Sequence, residues 1–396
     1  MKKFLFLALS LLVWSNVMAQ SEWTQLEMEV KAEAGDVEAQ SKYGLWFLQQ
    51  GKSEEGVYWL KKAADKGDSE AQYNLGVHYY NNKLYNQALP WWRKAAAQNN
   101  TDAQRQLGLH YLNNNNYEEA FPWLEKAAKT GDASAQCGLG NYYSFYKKDK
   151  EQAAYWYTQS AEQNNAQAQN FLGILCMESG KNEEGVEWFQ KAAQAGYPKA
   201  QFNLGLHYEK NNNWEQAVLW YKKAAEKGDA KAQCSLGTYY LNHKNFELAL
   251  FWSEKAAEQG NAIAQRNLGI YYDSTRKDLA QAESWFKKAA EQGDAVAQNL
   301  LGIVYMKKHQ NEEGVYWFKK SAEQGYVHGE FNLGLHYYNN KNYTEAVPWF
   351  KKAAEQGNVS AMEKLSACYR YGRGVEKDIK QAEVWADKAK QTSNNP

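Results

Sequence analysis

One fixed spacing runs through almost the whole of this 396-residue chain. Within residues 67–98, Gly67, Ala71, Leu75, Gly76 and Tyr79 are followed by Ala88, Trp91, Ala95 and Ala96. The opening position returns at Gly35, Gly67, Asn99, Gly131, Asn164, Gly196, Gly228, Gly260, Gly293, Gly325 and Gly357, in steps of 32 residues that lengthen twice to 33. A period of this size is the mark of a solenoid, in which each unit packs only on its neighbours. That removes the ceiling a single compact core sets on chain length.

Each period decodes as two helices. Ala71, Leu75 and Tyr79 lie four apart and share one face of a first helix. Gly76, without a side chain, lets a neighbouring helix approach. Ala88, Trp91 and Ala95 follow at spacings of three and four, predicting the inner face of a second helix, with Asn81, Asn82 and Lys83 as the turn. A Trp recurs in register eleven times, at Trp59, Trp91, Trp123, Trp156, Trp188, Trp220, Trp252, Trp285, Trp317, Trp349 and Trp385, and is expected to be core. The 15% aromatic content fits rings filling seams between helices rich in Ala and Gly.

The pattern AQ-x-x-LG-x-x-Y followed by A-x-x-W-x-x-KAA, made eleven times, resembles the Sel1-like repeat family, a relative of the tetratricopeptide repeats. The resemblance implies an all-α fold, an α/α solenoid (a right-handed superhelix) of about eleven helix–turn–helix repeats over residues 35–390. The family's longer G-x-GV-x-KD loop is whole only at Gly372, Gly374, Val375, Lys377 and Asp378, with traces at Lys148-Asp149 and Lys277-Asp278 in the two longer units.

Outside the array, Lys2 and Lys3 precede the apolar run Phe4 to Val13, and Val17-Met18-Ala19 closes the segment. Residues 1–19 therefore read as a signal peptide cut after Ala19, too short for an ordinary membrane span. A periplasmic or secreted location follows. Residues 20–34 are expected to form a capping helix through Trp23, Leu26 and Val30, and residues 391–396 a frayed polar tail. Charge balances at 46 against 46, without a basic tract, which argues against nucleic acid or anionic lipid as the main partner. The mature chain is expected to be a monomer without integral membrane association.

Four cysteines survive export, and an even count invites disulfides. Their placing argues otherwise. Cys137 and Cys234 share one helix position three units apart, Cys176 replaces the core Tyr, and Cys368 stands where several units have His. Four buried free thiols are expected. Pro90, Pro122 and Pro348 precede the Trp, early in the second helix, where few amides would have partners; Pro198 should open a first helix. The pairs Glu54-Glu55, Glu118-Glu119, Glu183-Glu184 and Glu312-Glu313 suit the positive start of the second helix.

Phosphate loops, nucleophile elbows, H-E-x-x-H and C-x-x-C are all absent from the sequence. No catalytic, cofactor-binding or metal-binding residue is assigned. Candidate partner-binding residues lie on the first helices: Asn74, Asn203, Asn267 and Asn332 before the core Leu, and His78, His110, His207 and His336 before the core Tyr. Tyr80, Leu112 and Tyr338 follow that Tyr, as do Met177, Leu241 and Met306. Each position also has a structural reading, as edge-of-core packing or as a bond to the adjacent helix. In related repeats the inner helices line a concave groove where amides hold a peptide backbone. The resemblance accordingly implies a non-enzymatic adaptor for a protein or peptide ligand, acting in envelope regulation, host interaction or toxin immunity. The alternative is a cell-wall or β-lactam-hydrolysing enzyme, as some exported relatives have been assigned. That chemistry needs a nucleophile beside a base, which would break the repeat pattern.

Overall fold

The computed structural model describes residues 25–394. The expected leader over residues 1–19, its cut after Ala19, and Trp23 lie outside them. The described residues contain helices and turns but no strand, and they form two compact halves, up to Tyr197 and from Pro198. The N-terminal half opens with a helix over residues 25–33, whose Ala32 packs with Ala39 and Tyr43. Five hairpins follow: Val37–Gln49 with Ser53–Asp65, Ser69–Asn81 with Tyr85–Ala97, Thr101–Asn113 with Tyr117–Lys129, Ala133–Asn141 with Lys150–Glu162, and Ala166–Glu178 with Asn182–Gln194. The C-terminal half holds six: Pro198–Lys210 with Trp214–Glu226, Ala230–Asn242 with Phe246–Glu258, Ala262–Tyr271 with Leu279–Glu291, Ala295–Lys307 with Asn311–Glu323, Val327–Asn339 with Tyr343–Glu355, and Val359–Tyr371 with Ile379–Asn394. The last helix thus continues through Asn394, into the segment expected to be a frayed tail.

The ends of the helices follow from single residues. Gly67 leaves the preceding helix at φ 96°, and Asp68 then caps the next one by accepting from the Ala71 amide. The two longer repeats absorb their extra residue as a π-helical turn at the end of the first helix, over Tyr142–Lys147 and Tyr272–Arg276. Asp149 and Asp278 then cap the second helix, each accepting from two amides. The prolines differ from expectation. Pro90, Pro122 and Pro348 are each the sixth residue of their helix, past the free amides of the first turn. Each removes one bond to the carbonyl four residues back, on an exposed face where water can replace it.

The core corrects the reading of the repeated Trp. Only Trp252 and Trp385 are buried; the other nine are half-buried. The deepest position is the next residue: Leu60, Trp92, Leu124, Tyr157, Tyr221 and Phe286 are all under 2% exposed. That side chain lies on the glycine of its own first helix. A Cβ added to Gly205 would stand 2.6 Å from the Tyr221 ring, so the two helices meet at a distance only glycine permits. The repeated Trp flanks this contact, and the Lys three residues on covers its face. Lys94 lies 4.2 Å from the Trp91 ring and Lys223 lies 3.9 Å from Trp220. Trp92→Ala is expected to cost about 3–5 kcal/mol, and Trp91→Ala less than half of that, by denaturant unfolding of the two variants.

Neighbouring hairpins are joined by a buried glutamine. Gln72 donates Nε2 to the carbonyl of Ala64 at 3.0 Å and accepts from Gln98 Nε2 at 2.9 Å. Gln298 does the same between Ala290 and Gln324. Where the residue after the second helix is Lys66 or Ala195, the buried Oε1 of Gln40 or Gln169 lacks a partner. Glu330 occupies this position in its own repeat, accepting from Gln356 at 2.7 Å. Burial raises its pKa, and a carboxylate cannot donate as the glutamines do. With the folded pKa above the unfolded one, its favourable contribution is present below the unfolded value and is lost as pH rises through the folded value. Glu330→Gln is therefore expected to stabilise the chain at pH 7 by about 1 kcal/mol, the worth of one hydrogen bond. The gain should shrink as melts are taken down to pH 4.

Candidate functional site

The first helices place the candidate residues at two heights, and the structure sorts them by what they touch. The Asn before the core Leu faces the previous first helix. Asn332 donates to Asn299 Oδ1 at 2.8 Å, and Asn267 donates to Thr238 Oγ1 at 2.8 Å. Asn74 reaches Glu70 on its own helix at 3.4 Å, and Asn203 is half-buried at the same position. Two candidates are withdrawn from solvent and corrected here: Asn267 is 6% exposed and Leu112 is 8% exposed. Both are held by packing between adjacent first helices.

The histidines are half-buried. Asn82, Asn211 and Asn340 bring their Nδ2 to the Nε2 of His78, His207 and His336 at 3.4, 3.3 and 3.2 Å. Burial lowers the pKa of His78, His110 and His336, which favours neutral rings at pH 7. His110 lies against Tyr80 and Tyr85, with centroids at 5.7 and 6.1 Å. Tyr338 accepts from Arg373, whose guanidinium also lies over Tyr343 and Tyr371.

The structure adds a cleft of about 450 Å³ between the hairpins that begin at Asn99 and Gly131. Leu112 forms its floor, Tyr117 and Phe145 its aromatic walls, and Asn113, Asn115 and Asn141 its polar edge. Tyr117 is fixed on both sides. Its ring stacks on Tyr146 at 4.6 Å and its hydroxyl donates to Asn115 Oδ1 at 2.8 Å. Asn141 is oriented from behind by the Tyr157 hydroxyl, which donates to its Oδ1 at 2.8 Å. Phe145 sits in the π-helical turn, is 53% exposed, and rests edge-on against Phe171. An apolar floor rimmed by amides suits an apolar side chain and the peptide backbone beside it. Tyr117, Asn141 and Phe145 were missed in the sequence. A signal for Tyr117 was present, since Tyr85, Tyr117, Trp214, Phe246 and Tyr343 all open second helices.

Nucleophilic chemistry finds no foothold in the thiols. All four cysteines are free and buried. Burial pushes Cys137 up to about 12 and Cys234 and Cys368 up to about 11; Cys176 is raised for the same reason first. Among the described residues no group of three His, Cys, Asp or Glu could hold a metal ion, and no helix is long and apolar enough to cross a membrane. A thiol reagent at pH 8 is expected to label none of the four sites in the folded chain, and all four after denaturation.

The Sel1 repeat model matches residues 37–68, 133–165, 166–197, 230–261, 262–294, 295–326 and 359–391. Tetratricopeptide repeat models match residues 73–135, 326–361 and 200–233. Among solved structures, a protective antigen of uropathogenic Escherichia coli displaying an SLR fold is 31% identical, with 94% of this chain and 90% of that one covered and a TM-score of 0.70. A Sel1 repeat protein from Oxalobacter formigenes is 28% identical, covering 68% of this chain and 86% of its own, with a TM-score of 0.52. No curated protein sequence matches significantly. Repeats of this kind are typical of protein–protein interaction scaffolds. Hairpin by hairpin, in sequence and in backbone, this chain belongs to the Sel1 repeat family.

Proposed function

We propose that the chain is an exported, non-enzymatic scaffold that binds a protein or peptide partner on its first-helix face. The Leu112–Tyr117–Phe145 cleft carries this reading, because it pairs an exposed aromatic wall with amides already oriented by their neighbours. Preorganised polar groups around an apolar seat spare a ligand part of the ordering cost of binding. Export rests on the basic and apolar segments of residues 1–19. Envelope regulation, host interaction and toxin immunity are the settings in which such a scaffold would act.

The test uses the mature chain as bait in envelope extract. A polypeptide retained by the native chain is expected to be lost with the double variant Tyr117→Ala and Phe145→Ala, whose exposed rings can be removed without unfolding the hairpins. Retention by a variant with an unchanged melting curve would remove the cleft from the binding site. Nitrocefin turnover by the native chain above that of a heat-denatured control would favour the hydrolase instead.

A further inference from the structure

A second, longer period underlies the repeat. An offset of 129 residues relates Glu54-Glu55-Gly56 to Glu183-Glu184-Gly185 and Glu312-Glu313-Gly314, and relates His78 to His207 and His336. The two π-helical turns follow the same offset, since both longer hairpins are fourth in a group of four. Each half of the chain holds one complete example of the seam in which Gly56 and His78, or Gly314 and His336, take part.

These seams are built differently from their neighbours. After the hairpin of Gly67, Tyr80 and Tyr85 stand over the next first helix and cover His110. In the hairpin before His78, the residues at those two positions are Leu48 and Ser53; before His336 they are Met306 and Asn311. Leu48 and Met306 are folded down into the hairpin, a pose that the facing glycine makes possible. A Cβ on Gly56 would stand 2.5 Å from Leu48 Cδ2, and one on Gly314 would stand 2.8 Å from Met306 Cε. Among the described residues, the only ring contacts of His78 and His336 are with Tyr79 and Tyr337, their own chain neighbours. The imidazole is held by Asn82 or Asn340, and the place that Tyr85 fills beside His110 is left to a short polar side chain.

We propose that these two notches are seats for aromatic side chains, Tyr or Phe, of a partner polypeptide, one seat in each half. The chain's own packing defines the occupant: a ring lodged against the imidazole, as Tyr85 lodges against His110. A neutral, oriented imidazole offers an aromatic edge and face. Met306 adds a polarizable sulfur that adapts to the ring it meets. The notches are separate from the Leu112–Phe145 cleft, and neither needs it.

Histidine Cε1–H resonances of the full mature chain, assigned through single His→Gln variants, report each seat directly. Titration with N-acetyl-L-tyrosinamide at pH 7.5 is expected to shift His78 and His336 along saturable curves and to leave His110 unmoved. N-acetyl-L-leucinamide should shift none of them. Ser53→Tyr should abolish the shift at His78 and Asn311→Tyr that at His336, each by filling the seat, while Tyr85→Ser should open a new response at His110. Stationary His78 and His336, an equal response to the leucine compound, or shifts that persist in the two filled variants would overturn the proposal. The double variant Tyr117→Ala and Phe145→Ala should leave these shifts intact, so failure of the cleft and failure of the notches read out separately.

Discussion

The closest contact in each hairpin is made where a glycine on the first helix receives the large side chain that follows the repeated Trp. Gly173 under Phe189 and Gly205 under Tyr221 repeat this arrangement. A single extra carbon at the glycine would meet the ring inside van der Waals range, so helix separation and ring packing are set together. The last hairpin makes the point by inversion. There the glycine is Ser366 and the following residue is Ala386, and the serine hydroxyl bonds the Ala382 carbonyl at 2.7 Å. Bulk has moved from one helix to the other while the pairing is kept.

Stacking of one hairpin on the next depends on a different device. The buried glutamine takes a carbonyl from the preceding second helix and an amide from its own, and its partners recur at nearly the same distances. Carbonyls at the end of a helix have no partner within it, so a buried amide there answers a need every repeat shares. With core and stacking fixed by Gly, Gln and Ala, the remaining positions are free to vary. Cleft and notches alike arise there, at the residue after the core Tyr and at the first residue of the second helix.

Variation at those positions changes surface chemistry without disturbing the array. Tyr80 with Tyr85, Leu112 with Tyr117, and Met306 with Asn311 occupy equivalent places yet offer a filled seam, an amide-rimmed cleft and an open notch. The extra residue of the longer repeats acts likewise, since the π-helical turn it creates carries Phe145. A regular scaffold can thus carry irregular binding chemistry.

The period of 32 residues, the two helices within it, the capping role of Gly67 and the burial of the four thiols could all be argued from the residues alone. Each rests on a local requirement: helical spacing, positive φ, or the cost of bringing two cysteines together. The sequence left open which ring fills each hairpin. Ala88 and Ala95 are seven apart, and Trp91 or Trp92 completes a spacing of three and four equally well. Only the approach of the first helix decides between them, placing Trp92 against Gly76 and leaving Trp91 at the edge under Lys94. The binding surface was hidden for the same reason. Asn267 and Phe145 are both plausible contacts in sequence, but their exposure depends on how adjacent first helices meet, and that distance is a property of the packed array.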